Sequence, residues 1–379
     1  ESADGNLHIV FNGEIYDYKE LRAELETFGI SFCTHSDTEV LVNTLQQYGE
    51  KALDKLRGMF GFAVWNEQEQ SLMLARDFFG IKPVYYAEID GHFVFASEIK
   101  SILAFPGYER KVNQKALEQY LSFQYSPLEE TFFRGIYKLM PGHMLLYKNG
   151  NYEIKTYFKT KLTPGKWDRK TNMEQLRSQL AEILKDSVKH HMLSDVEVGA
   201  FLSGGVDSGY LASSSGADQA FTVGFDEGDR YSEVNKAAKV AEKASLKHHV
   251  KIISKQEFWD ALPDVMYHMD EPLADASAVA LYFLSKEAAG HVKVVLSGEG
   301  ADELFGGYNI YREPESLKKI AWIPFGVRRV IGKLAAKLPD VKGRDFLIRA
   351  GMKVEERFIG NAYICLLYTS PSPRDSTSS

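Results

Sequence analysis

VEVGAFLSGGVDSGY (Val196–Tyr210) decides the fold of the second half of this chain. A short apolar run ends at Leu202, and Ser203-Gly204-Gly205-Val206-Asp207-Ser208 follows. The pattern predicts a buried strand that stops abruptly, with a helix beginning near Asp207. Two glycines let the backbone approach a ligand with its amides exposed, and a helix N-terminus adds partial positive charge. No lysine follows the glycines, so this is not the Walker pattern. Asp207 by itself repels phosphate, and a metal ion between the carboxylate and the phosphates resolves that conflict. Taken alone, the motif also admits a reading as a tight turn with an Asp cap.

The rest of the second half tips the balance. VKVVLSGEGADELFGGY (Val292–Tyr308) repeats the design: a β-branched run, Ser297-Gly298, then Glu299, Gly300, Asp302 and Glu303. Strand-like runs alternate with helical ones from VGAFLS through AFTVGF, HHVKII and HVKVVLS, which implies crossovers and a parallel sheet covered on both faces. Such sheets bind ligands at the C-terminal ends of their strands. Both motifs are therefore expected at one crevice, with Asp207 and Asp302 sharing Mg2+. TVGF (Thr222–Phe225) is a third strand end, placed to offer backbone to an adenine.

The first part, residues 1 to about 158, reads differently. GMFGFAVWNEQEQSLMLARD, PVYYAEIDGHFVFASE and PGHMLLYKNGNYEIKTYF are each two apolar strands around a polar turn, the last two with Asp90-Gly91 and Asn149-Gly150 as hairpin signals. HIVFNGEIYDY is expected to turn at Asn12-Gly13. SDTEVLVNTLQQYG opens like a capping box, Ser36 with Glu39. These features predict an antiparallel-sheet domain with helices. KTKLTPGKWDRKTN breaks the pattern, and 159–171 is read as a linker. MEQLRSQLAEILKDSVKHHM then predicts a helix with Leu176, Leu180, Ile183 and Leu184 on one face. Residues 366–379, rich in Ser, Pro and Thr, read as a disordered tail foreign to the domain.

Bulk properties agree with two folded domains. The chain has 379 residues, beyond one ordinary core. A 44% apolar and 26% charged composition is that of a globular protein. A net charge of −7 argues against nucleic-acid binding. No run is long and apolar enough to span a membrane, and two cysteines, Cys33 and Cys365, suit a reducing, cytoplasmic compartment. His190-His191 and His248-His249 are adjacent pairs, which cannot both face one metal, and are read as surface residues. LKKIAWIPFGVRRVIGKLAAKL is basic and interrupted by Pro324 and Gly326; it is read as two domain helices rather than a membrane-surface helix.

With these motifs in hand, the chain resembles the glutamine-hydrolysing asparagine synthetases. SGGVDS resembles the loop of the N-type ATP pyrophosphatases. DEPLADASAVALYFLS and SGEGADELFGGY resemble the synthetase domain; FNGEIYDYKELR, SDTEVLV, LRGMFGFAVWN and ARDFFGIKPVYY resemble the class II glutaminase domain. The resemblance implies an α+β, Ntn-hydrolase-like domain of layered antiparallel sheets over 1–158. It also implies an α/β domain with a parallel sheet, like that of the adenine nucleotide alpha-hydrolases, over 172–365. Asn12 and Gly13 then match an oxyanion hole, and Glu14 and Asp37 match the residues holding the glutamine head group. Leu202, Val223, Ser297 and Gly298 match nucleotide contacts, and Ser203, Gly204, Gly205, Val206, Asp207 and Ser208 match the pyrophosphate loop. Asp207 and Asp302 match the magnesium acids, and Glu299 the acid that assists ammonia. The implied chemistry is ATP-dependent amidation of aspartate through a β-aspartyl-AMP. The implied partners are aspartate, glutamine, ATP and Mg2+, with neither nucleic acid nor membrane, and a homodimer as the assembly considered.

The chain also departs from the family. The family's glutaminase uses an N-terminal Cys, whereas this sequence starts at Glu1, and Cys33 is internal. The family's late catalytic Lys has no match. The expectation is therefore a piece of a longer enzyme, cut at both ends and inactive as a glutaminase. The alternatives are an amidotransferase acting on another carboxylate, and an inert remnant that binds glutamine or nucleotide.

Overall fold

The computed structural model describes residues 1–161, 172–226, 233–339, 341–353 and 356. Most of the expected linker, the expected tail and Cys365 lie outside the described residues. The chain divides into two compact units. The first comprises residues 1–117, 126–196 and 263–272; the second comprises 118–125, 197–262 and 273–379.

The first unit holds β1 (Leu7–Ile15), α1 (Tyr18–Thr27), α2 (Asp37–Tyr48), β2 (Gly58–Asn66), β3 (Ser71–Arg76), β4 (Tyr85–Ile89), β5 (His92–Ala96) and α3 (Ile99–Leu103). After α4 (Gln114–Phe123), whose residues are divided between the units, come β6 (Ile136–Lys138), β7 (His143–Lys148), β8 (Asn151–Thr156) and α5 (Met173–His191). Two antiparallel sheets result, ordered β1-β2-β3-β7-β8 and β5-β4-β6. The three expected hairpins form. At Asp90-Gly91 and Asn149-Gly150 both turn residues have positive φ, as a tight hairpin matching strand twist requires.

Burial arranges this unit in four layers. One face of the larger sheet, through Phe62, Val64, Ala75 and Met144, packs on Leu21, Leu25, Leu41 and Leu45 of α1 and α2. Its other face, through Ala63, Leu74 and Leu145, meets Val84, Tyr86 and Leu139 beside the smaller sheet. That sheet in turn buries Ala87, Ile89 and Ile136 against Ile99 and Ile102 of α3. Phe62 and Ala63 thus face opposite cores, which is why β2 is buried nearly throughout rather than alternating polar and apolar.

Three local expectations are corrected. Asn12-Gly13 is no turn: β1 runs unbroken through it, with Asn12 opposite Gly61 and Gly13 opposite Phe60. Turn propensity lost to nine paired positions with β2. A Cβ on Gly13 would lie 2.8 Å from the Phe60 Cα, so glycine serves close approach there. Ser36 caps α2, but it accepts from the Thr38 N–H; Glu39 instead accepts the Cys33 and Thr34 N–H groups at 2.7 Å each. On α5, Ile183 and Leu180 are 65% and 39% exposed, while Leu176 and Leu184 are half-buried, so the expected apolar face is covered only in part. The helix is anchored near its C-terminus, by Arg57 on Asp186 at 2.7 Å and by His191 against the Tyr16 ring.

The second unit is built on a parallel sheet ordered β11-β10-β9-β12. Its strands are β9 (Val198–Phe201), β10 (Gln219–Phe225), β11 (Lys247–Ile253) and β12 (Val294–Leu296). The intervening helices are α6 (Val206–Ser214), α7 (Val234–Lys243), α8 (Lys255–Asp260), α9 (Leu262–Met269, mostly in the first unit) and α10 (Ser277–Ala289). α11 (Ala301–Phe305), α12 (Glu313–Lys318), α13 (Phe325–Ala335) and α14 (Arg344–Ala350) follow. One core joins Ala200, Leu202 and Ala220 to Ala212, Ala237 and Ala241 of α6 and α7; another joins Phe221 to Ala288 and Val292. Both faces of the sheet are therefore covered. Pro324 caps α13, which separates it from α12 as read from the sequence, whereas Gly326 lies inside α13 and does not interrupt it.

Candidate functional site

In the second unit, the strand ends converge as the parallel topology requires. A cavity of about 370 Å³ is lined by Leu202, Ser203, Gly205, Asp207 and Ser208 from the first motif and by Ser297–Asp302 residues from the second. Val223 of β10 joins them. The two motifs touch: a Cβ on Gly298 would lie 3.2 Å from the Ser208 N and 3.4 Å from the Asp207 Cβ. Gly204 has φ +77°, and a Cβ there would lie 2.7 Å from Lys236 of α7. Only glycine suits both that backbone and that space. The Ser203 and Ser208 hydroxyls lie 2.9 Å apart, and Ser208 Oγ also accepts the Ser203 N–H, closing the loop on itself. α6 begins at Val206, so its first N–H groups, which lack intrahelical acceptors, open at this loop. Two loop residues are not among those lining the cavity: Gly204, which faces α7, and Val206, which is 86% exposed.

Charge is the distinctive property of this cavity. Asp207, Glu233, Glu299, Asp302 and Glu303 line it, and among the described lining residues none is Lys, Arg or His. Glu303 and Tyr308 belong to the second motif but were given no role there, and Glu233 lies outside any motif, just before α7. Tyr308 donates to Glu303 at 2.8 Å, and this bond, then burial, pushes its phenol up to about 12. Hard carboxylate oxygens without a competing cation are the donor set of a divalent ion such as Mg2+, so Asp207 and Asp302 fit that group.

The first unit brings Glu14 and Asp37 together. β1 carries Asn12, Gly13 and Glu14, and Asp37, the first residue of α2, accepts the Ile15 N–H at 3.1 Å. Burial first, then the charges of Asp37 and Asp195, push Glu14 up to about 7. Asp195 was invisible as a partner in the sequence. Asn12 sits two residues from Glu14 on the same strand face and lines a separate cavity of about 210 Å³ with Gly61, Val84 and Phe95. Cys33 is exposed, with its N–H spent on Glu39.

The raised Glu14 carboxyl has a signed consequence. Folding favours its protonated form, so its contribution is intact below the ordinary pKa of 4.5 and is lost as pH rises through about 7. Because the group is less than half buried, solvent screening reduces the effect to about 1 kcal/mol. Glu14→Gln is expected to flatten stability between pH 5 and 8, with the gain over wild type appearing only at the upper end. Urea melts across that range check this; equal pH slopes for the two proteins would refute it.

A layered antiparallel unit and a parallel α/β unit with an acid-lined strand-end cavity are thus joined in one chain. Residues 1–158 match the family model for a glutamine amidotransferase domain, and 179–358 that for asparagine synthase. Asparagine synthetase [glutamine-hydrolyzing] 1 of Bacillus subtilis is 44% identical over 95% of this chain and 57% of its own length. Asparagine synthetase [glutamine-hydrolyzing] 3 of the same organism is 31% identical over 83% of this chain and 54% of its length. Amidase chry2 of Gibberella zeae is 30% identical over 81% and 48%. The chain thus spans about half the length of these relatives. It belongs to the family of glutamine-hydrolysing asparagine synthetases.

Proposed function

We propose that, in a protein of the relatives' length, the second unit activates the side-chain carboxylate of aspartate with ATP and amidates it, using ammonia that the glutaminase domain would release from glutamine. One observation carries the reading: two serine-glycine loops meet at Gly298 over a cavity whose ionisable side chains, among the described residues and besides Tyr308, are all acids. An acid-only cavity repels a nucleoside triphosphate, whereas with Mg2+ bound it attracts one. Asp207 and Asp302 would hold Mg2+, which when bound would neutralise phosphate charge.

The residues of the chain divide the remaining work. Leu202, Val223, Ser297 and Gly298 seat the nucleotide at the strand ends. Ser203–Ser208 backbone amides and hydroxyls face the departing pyrophosphate, and they stabilise the charge that develops as the α–β bond breaks. The aspartate carboxylate attacks the α-phosphorus, giving a β-aspartyl-AMP. Glu299 accepts a proton from the attacking ammonia, which displaces AMP. In the first unit, Asn12 and Gly13 hold the oxyanion of glutamine hydrolysis, while Glu14 and Asp37 bind the head group. A cationic α-amine beside Glu14 relieves its repulsion with Asp37. Domain limits of 1–158 and 172–365 and a cytoplasmic setting accompany this reading.

ATP–pyrophosphate exchange tests it, in a protein of the relatives' length. Exchange is expected with aspartate and absent with glutamate, succinate and sugar acids. Exchange driven by a different carboxylate would move the assignment to another amidating enzyme. Exchange with none of them would leave a binding protein.

A further inference from the structure

The opposite edge of the same parallel sheet, where its strands begin, carries a cluster that the amidation chemistry does not use. His249 lies on the edge strand β11, Glu287 in the last turn of α10, and His291 just beyond it, before β12. One ligating atom from each lies within 4.8 Å of the others. The two imidazole centroids are 3.9 Å apart, tilted by 39°. Glu287 approaches the His291 Nε2 at 3.7 Å across one helical turn. Adjacent histidines indeed cannot serve one metal, and here they do not. His248 points elsewhere, with its Nε2 2.7 Å from the Thr222 hydroxyl, while His249 finds its partners on a different element.

A second layer of contacts sets up His249 as a ligand. The Gln219 amide donates to Glu197 at 2.7 Å, which fixes its orientation and turns its oxygen toward His249. The His249 Nε2 lies 2.8 Å from that oxygen and must donate to it, so in the neutral ring Nδ1 keeps its lone pair. Phe221 stacks on the same ring at 5.0 Å and restricts its rotation. A hydrogen-bonded, sterically held imidazole is the arrangement that metal-binding histidines share.

We propose that His249, Glu287 and His291 form a transition-metal site of the zinc class that clips the edge strand β11 to the α10–β12 connection. Two imidazoles and one carboxylate suit Zn2+ and disfavour Mg2+ and Ca2+. Three protein donors leave a fourth position for water, and His291, with 35% of its side chain exposed, gives solvent access to it. The site is chemically and spatially separate from the acid cavity, which lies at the other ends of these strands.

The test is titration of the chelator-treated protein with Zn2+ by calorimetry and with Co2+ by visible absorption. One equivalent is expected to bind, with d–d bands of a low-symmetry site and a rise in melting temperature. His291→Ala and Glu287→Gln, both at partly exposed positions, are each expected to weaken binding by at least about 10-fold. Asp207→Asn, at the other edge, and His191→Ala are expected to leave it unchanged. Absence of saturable binding would overturn the site, and so would one equivalent that survives both ligand substitutions. Failure of these arms leaves the amidation reading standing, because exchange activity is measured separately.

Discussion

Asp207→Asn is expected to reduce Mg2+-dependent ATP binding and pyrophosphate exchange by at least about 10²-fold, with the fold intact. The substitution preserves shape. Asp207 is exposed at the first turn of α6 and accepts no described hydrogen bond, so the melting temperature should scarcely move. The sign of the binding change is the informative part. If phosphates met the acid cavity directly, removing one of its five carboxylates would strengthen ATP binding. If a divalent ion intervenes, removing one of its ligands weakens binding. Calorimetry with and without Mg2+ separates the two outcomes, and tighter binding by the variant would remove Asp207 from the metal site. Asp302→Asn should behave similarly, with one difference. The Asp302 side chain packs against Gly307, so some loss of local order at α11 accompanies its loss of charge.

The largest loss of stability is expected from Asp77→Ala, about 3–5 kcal/mol in the first unit. Asp77 is 1% exposed and follows β3. Its two carboxyl oxygens accept four backbone N–H groups: Phe60 at 3.2 Å, Phe79 at 3.1 Å, Ile81 at 3.0 Å and Lys82 at 2.9 Å. Alanine would leave all four donors without this acceptor, inside the turn that joins the two sheets. Beside it, the Arg76 guanidinium donates to the Gly80, Lys82 and Leu139 carbonyls at 2.8–2.9 Å, so the two side chains together organise the whole β3–β4 connection. Asp77→Asn retains one acceptor oxygen and should recover part of the loss. Chemical denaturation of the first unit measures both, and a midpoint for the alanine variant within error of wild type would refute the role.

Local signals were legible where local energetics decide. Asp90-Gly91 and Asn149-Gly150 form tight turns because the positive φ they need is cheap at those residues. The strand–glycine–helix pattern at Ser203–Ser208 was legible because a helix start and a backbone close to its neighbours each demand particular residues. Competition between local and long-range preferences explains the misses. Asn12-Gly13 carries a turn signal, yet pairing with β2 extends it. Glu39 was spaced for a capping box, yet the loop N–H groups of Cys33 and Thr34 claim it. A true capping box forms at Ser254 and Glu257, where one carboxylate oxygen takes the Ser254 N–H and the other takes Lys251.

The sequence by itself determined the alternation of strands and helices, hence a parallel sheet, hence that SGGVDS and SGEGAD would end on the same edge. It determined this because strand period, helix period and crossover handedness are properties of short segments. Tertiary structure alone decided the charges and partners at the sites. Only packing brings Glu14 against Asp37 and Asp195 and lifts its pKa, and only packing gathers five described acids, from α6, the start of α7 and the β12–α11 region, around one cavity. Only the folded sheet sets His249 beside Glu287 and His291, which are separated by some 40 positions in the chain. Electrostatics and metal coordination depend on distances across the fold, and spacing along the chain does not report them.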